Sequence, residues 1–93
     1  MTTAADRRWF AAVAALETCS LCGAYGVQVA HQNEGRGMGQ KAKAYQTAAL
    51  CPACHTSIDN GRDLSQEERR SLMRKAINVT HSRLIEAGKL RLA

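Results

Sequence analysis

Ninety-three residues leave room for one small domain, and a chain this short often needs a staple to hold its fold. With 45% hydrophobic, 4% aromatic and 23% charged residues, it is neither a disordered tail, a collagenous repeat nor a disulfide-dense toxin. Lys+Arg 13 against Asp+Glu 8 gives +5 at pH 7, which favours a polyanionic partner such as nucleic acid without specifying one.

Ala4 to Leu16 is rich in helix formers, and Trp9, Val13 and Leu16 recur at spacings of four and three, on one helical face. The apolar run from Trp9 to Leu16 is far short of the about 20 residues that a membrane helix needs. Arg7 and Arg8 precede it, but Glu17-Thr18-Cys19 is no small-residue cleavage site. The expectation is an amphipathic helix of a cytoplasmic protein with no membrane contact. Cys19 to Gly23 reads as a tight turn of the metal-knuckle kind. Tyr25 to His31 alternates, which points Val27, Val29 and His31 to one side of a strand.

Glu34 to Lys43 carries Gly35, Gly37 and Gly39 among its cations, too many glycines for a regular element, and reads as a loop. Tyr45 to Leu50 forms a second short strand pairing back on the first. Pro52 suits the first turn of a helix that runs to about Asp59 and stops at Asn60-Gly61. Ser65-Gln66-Glu67-Glu68 is a capping box. Behind it, Leu72, Met73, Ala76, Ile77, Thr80, Leu84 and Ile85 line one face, and Gly88 is a natural terminator. The predicted class is α+β in a single domain over residues 1–93. Its core covers 19–61, flanked by an N-terminal helix at about 4–16 and a long C-terminal helix at about 65–87.

Cys19-x2-Cys22 and Cys51-x2-Cys54 form two C-x2-C pairs separated by residues 23 to 50. Each pair suits a turn that brings two thiolates to one ion, and two such pairs complete a tetrahedral four-cysteine zinc site. In a reducing compartment, metal ligation is the better use of paired cysteines than disulfides. Four thiolates leave no open position for water, so the zinc would be structural. Cys51-Pro52-Ala53-Cys54-His55 also spells the C-x-x-C-H attachment motif of c-type haem. That reading leaves Cys19 and Cys22 without a purpose and needs an export signal.

His55 follows the last cysteine of the pair directly and cannot point into the same tetrahedron from a regular helix. Asp59 lies four residues on, one turn along the same face. Imidazole plus carboxylate makes half a shell for a divalent ion with positions left for water and phosphate. Asp59 serves equally well as a cap of the Asn60-Gly61 turn. His31 closes the first strand just before the glycine-rich loop, and His81 on the long helix has no comparable neighbours in sequence.

This pattern resembles the HNH (His-Me finger, ββα-metal) endonucleases. In their zinc-containing branch, a first C-x2-C precedes a strand ending in the general-base histidine. A variable loop follows, and a segment of the form N-L-x-L-L-C-x-x-C-H opens the helix. The corresponding parts are Cys19 and Cys22, Val29-Ala30-His31, the loop from Gln32 to Ala44, and Gln46-Thr47-Ala48-Ala49-Leu50-Cys51-Pro52-Ala53-Cys54-His55. His31 through Gly61 looks more narrowly like the small nuclease-like proteins encoded in phages and prophages. The resemblance covers roughly residues 19 to 61, with the long C-terminal helix included. Two positions depart from the pattern. The residue before the base histidine is often a metal-ligating Asp or His and is Ala30 here. The motif's middle asparagine falls on Gln46, or is displaced onto Asn33.

The resemblance implies a zinc-stapled ββα-metal core and a metal-dependent endonuclease, with DNA the expected substrate. His31 would be the general base, oriented by Gln46 or Asn33, and His55 with Asp59 would hold a catalytic Mg²⁺ or Mn²⁺. Arg36, Lys41 and Lys43 would grip neighbouring phosphates without reading sequence. The competing expectation is a non-catalytic zinc module that binds nucleic acid or a replication or recombination protein, for which Ala30 is the best argument.

Overall fold

The computed structural model describes residues 3–32, 43–60 and 63–88. Asn33, Arg36 and Lys41 lie outside the described residues, as does Gly61. Helix α1 (Ala4–Ala14) opens on a capping box that the sequence pattern did not announce: Thr3 Oγ1 accepts the Asp6 N–H at 3.0 Å, and Asp6 returns a carboxylate oxygen to the Thr3 N–H. The helix ends at Ala14, short of Leu16, because Leu16 and Glu17 close tight turns onto Val13 and Ala14 and Glu17 adopts φ +67°.

Strand β1 (Gln28–His31) pairs antiparallel with β2 (Thr47–Leu50), with His31 opposite Thr47 and Gln28 opposite Leu50. The first strand is shorter than its alternation predicts. Tyr25 makes an isolated bridge back to Thr18, and Gly26 bends the chain at φ +93°, so regular pairing starts only at Gln28. Helix α2 (Pro52–Asn60) follows immediately, with Pro52 at its first position. Helix α3 (Gln66–Glu86) carries the predicted Ser65–Glu68 box and terminates at Ala87, with Gly88 at φ +74°. The result is an α+β domain of three helices and a two-stranded antiparallel sheet among the described residues.

Two strands cannot bury themselves, and here the helices do it for them. Val13 of α1, Ala49 and Leu84 form the core on one side of the sheet, with Trp9, Leu16, Val27 and Val29 packed against it. On the other side Ala30, Ala48 and Leu50 meet Ile58 of α2 and Met73, Ala76 and Ile77 of α3. Every residue of β2 is buried. Its outer edge is closed rather than left open: the Ala49 N–H donates to Thr80 Oγ1, and the Ala49 carbonyl accepts the Ser20 N–H at 2.9 Å. The predicted core face of α3 holds except at its end, where Ile85 is 40% exposed because Leu84 takes the inward position. No helix among the described residues is long and apolar enough to cross a membrane.

Candidate functional site

The four cysteines converge. Their sulfurs all lie within 4.8 Å of one another, and the Cys22 and Cys51 sulfurs are 3.6 Å apart. Thiolates on one tetrahedral zinc at about 2.3 Å stand about 3.8 Å from each other, so the cluster is already close to the edge length a bound ion requires. Each pair is preset by its own backbone. In the first, the Gly23 N–H closes on the Cys19 carbonyl at 3.0 Å, with Gly23 at φ +78°, and the Leu21 N–H points at the Cys19 sulfur. In the second, the Cys51 sulfur accepts the Cys54 N–H where α2 begins, in the manner of an N-cap side chain. Among the described residues these cysteines are the only group of three or more metal-ligating side chains so placed.

Four thiols this close cannot all ionise without a cation between them. Burial pushes the Cys19 thiol up, but the backbone N–H groups of Cys51, Cys22 and Leu21 outweigh it and bring it down to about 6. Burial and the neighbouring Cys51, Cys22 and Cys19 sulfurs drive Cys54 far upward. Cys22 is also raised: the Ala24 N–H lowers it, but the Cys51 and Cys19 thiols prevail. The cluster has one readily formed thiolate facing thiols that resist a second charge, an arrangement that a divalent cation would reverse.

Next to the cluster, His55 and Asp59 meet as their spacing predicted, with Nε2 and Oδ2 3.0 Å apart. The other ring nitrogen, Nδ1, lies 2.8 Å from Gln28 Oε1 at the start of β1, so strand and helix together fix the ring plane. His31 stands at the far end of β1, three residues on, with its ring edge-on to Phe10 at 5.4 Å. Strand alternation puts Gln28 and Ala30 on the α2 side and His31 on the α1 side. His31 and Asp59 nevertheless line one open cavity of about 190 Å³ between the end of β1 and helices α2 and α3.

Gln46 does not touch His31 through any described hydrogen bond. Its side-chain oxygen accepts the Lys43 N–H at 2.7 Å and its own N–H donates to the Lys43 carbonyl, so it closes the turn that leads into β2. Its carbonyl takes the Gln32 N–H, which ties that turn to the residue after His31. Lys43 is exposed. Ala30 is buried at 1% exposure and contributes no ligand.

Several residues of the site were missed in sequence. Gln28 gave no sign that it would hold His55. Arg83 donates from its two terminal nitrogens to the carbonyls of Leu16 and Thr18 and the hydroxyls of Thr18 and Ser20, gripping the first knuckle from α3. His81, without a role in sequence, packs edge-on against Trp9 and hydrogen-bonds the Tyr45 carbonyl at 2.7 Å. Arg69 and Arg70 also line the cavity beside His31, and a basic pair one turn into a capped helix was the available signal. Comparison with protein-family models, curated proteins and solved structures returns no match.

Proposed function

We propose that this chain is a zinc-stapled, metal-dependent endonuclease of the HNH type that hydrolyses phosphodiester bonds in nucleic acid, with DNA as substrate. The observation that carries the reading is the shared cavity of His31 and Asp59, with His55 one turn behind Asp59 and the four cysteines at the root of both elements. Zinc at Cys19, Cys22, Cys51 and Cys54 would lock the start of α2 to the turn before β1, and so hold the two histidine-bearing elements in register. His31, exposed and on the strand that the zinc pins, takes a proton from the attacking water. His55 Nε2 and Asp59 Oδ2, paired directly at 3.0 Å, are the two groups that would hold a divalent ion. Mg²⁺ or Mn²⁺ held there would neutralise charge growing on the phosphate and the leaving 3′ oxygen. Gln28 keeps the His55 ring turned toward Asp59. Arg36, Lys41 and Lys43 add non-specific grip on flanking phosphates.

A second reading, a non-catalytic zinc module for nucleic acid or a recombination protein, is favoured by one observation. Ala30 is packed into the core where a third ligand would stand. Nicking of supercoiled plasmid by the zinc-loaded protein, with and without added Mg²⁺ or Mn²⁺, separates the two. Nicking that depends on the added ion is expected, and DNA binding with no nicking under any divalent ion would favour the module.

A further inference from the structure

The cavity beside His31 contains more cationic chemistry than a metal site uses. His31 and Gln32 contribute from the end of β1, Asp59 from α2, and Gln66, Arg69 and Arg70 from the first turns of α3. At about 190 Å³ it far exceeds the roughly 10–15 Å³ that one water molecule needs. Ile58 and Met73 form apolar parts of the wall and are themselves buried, which strengthens any charge interaction made against them.

Arg69 is held in an unusual way. Its Nη1 donates to the Asp59 main-chain carbonyl at 3.2 Å, which anchors one side of the guanidinium to α2. Its Nε is buried without a hydrogen-bond partner among the described residues. A buried N–H left unmade costs about 1–3 kcal/mol, and charged donors lie at the upper end. The Nε–Nη2 edge of an arginine is the edge that takes two oxygens of one phosphate side by side. The Arg70 side chain is exposed and makes no hydrogen bond or ion pair with any described residue.

We propose that this cleft is a phosphodiester site in which the Arg69 side chain shifts to bring its buried, unpartnered Nε together with Nη2 onto one phosphate, and Arg70 neutralises it from the rim. The gripped phosphorus then stands before His31. The proposal rests on the nuclease reading and names the groups that hold its scissile phosphate. Asp59 sets a condition on it: a carboxylate in the same cleft repels an anion until a cation covers it. Phosphate and divalent ion therefore bind cooperatively, each relieving the charge the other meets.

The experiment uses ¹⁵N-labelled, zinc-loaded protein and follows the arginine Nε–H resonances, with that of Arg69 identified by its loss in Arg69→Lys. Inorganic phosphate and a thymidine dinucleotide carrying one phosphodiester are titrated separately, with and without Mg²⁺, against chloride at matched ionic strength. The dinucleotide should shift the Arg69 resonance saturably and more tightly with Mg²⁺. Arg70→Gln should weaken it about tenfold, the worth of one charge-assisted hydrogen bond. Asp59→Asn should tighten it when Mg²⁺ is absent. Saturation by inorganic phosphate but not by the dinucleotide would make this a free-phosphate site and overturn the proposal. So would an Arg69 resonance that neither probe moves, even if the wild type nicks plasmid. Saturable dinucleotide binding by a protein that nicks nothing would support the phosphodiester site while removing the nuclease reading.

Discussion

The Arg83 guanidinium on α3 reaches Thr18 across 65 residues of sequence and donates to both its carbonyl and its hydroxyl, each at 2.7 Å. Two further donations, to Ser20 and Leu16, make it the clamp that holds the first cysteine pair and the end of α1 against the long helix. Replacing Arg83 by Ala leaves those half-buried acceptors unpaired, and a loss of about 2–4 kcal/mol is expected in urea melts of the zinc-loaded protein. Arg83→Lys should recover only part, because an ammonium has three N–H donors for four acceptors and cannot fork between them. A melt unchanged by Arg83→Ala would mean water substitutes for the clamp.

Zinc should account for much of the fold's stability. Purified protein is expected to carry one zinc per chain, and Cys51→Ser or Cys54→Ser to lose it along with cooperative melting. Strong chelation should collapse the helical signal, since binding free energy at such a site is folding free energy. Circular dichroism beside metal analysis checks this. Full helicity in a zinc-free sample would remove the staple from the account.

For the nuclease reading, His31→Ala should abolish plasmid nicking while zinc content and DNA affinity stay near wild type. His55→Ala should abolish nicking and also lose the weaker divalent site. Asp59→Ala should be partly rescued by raised Mn²⁺, because removing one ligand weakens the ion's hold more than it disturbs proton transfer at His31. Full activity in His31→Ala would end the assignment of the base.

The basic loop has its own signature in salt. Arg36→Ala, Lys41→Ala and Lys43→Ala together should weaken binding to all DNA sequences alike. They should also flatten the logarithmic salt dependence by about 0.9 for each phosphate no longer neutralised. An unaltered slope would show that these cations face only solvent.

The Ser65–Glu68 box predicts a pH dependence whose sign follows from the site. The Ser65 N–H, and after it the Ser65 hydroxyl, hold the Glu68 carboxyl below the usual carboxylate value. A lowered folded-state value means the stabilisation is complete above the unfolded value and fades as pH falls through and below that ordinary range. The melting difference between wild type and Glu68→Gln should therefore shrink as pH falls from 7 toward the ordinary carboxylate range. The comparison is made over the pH range in which metal analysis shows both proteins still loaded with zinc. Separately, Ser65→Ala removes the cap and should cost about 1 kcal/mol at neutral pH. A difference that grows on acidification would contradict the box.

Local chemistry alone placed the elements and the metal-capable cysteines. Pro52 at a helix start, Ser65 with Glu68 at another, Gly88 after the last turn and two C-x2-C pairs each act over a few residues, so their spacing is their structure. The His55–Asp59 pair was legible for the same reason, because one helical turn is a distance that sequence measures directly. Long-range partners were not. Gln28 beside His55, Arg83 on the Thr18 carbonyl, Thr80 capping the edge of β2 and Arg69 beside Asp59 join residues on different elements. All of these, Arg69 and Asp59 on consecutive helices included, depend on how different elements pack, and many side chains with the same local pattern could have filled those places. The limit of β1 belongs with them: alternation ran back to Tyr25, but the backbone of Thr18 claimed that residue first. Sequence periodicity reports which face a residue prefers, whereas the partner on that face is chosen only when the chain closes on itself.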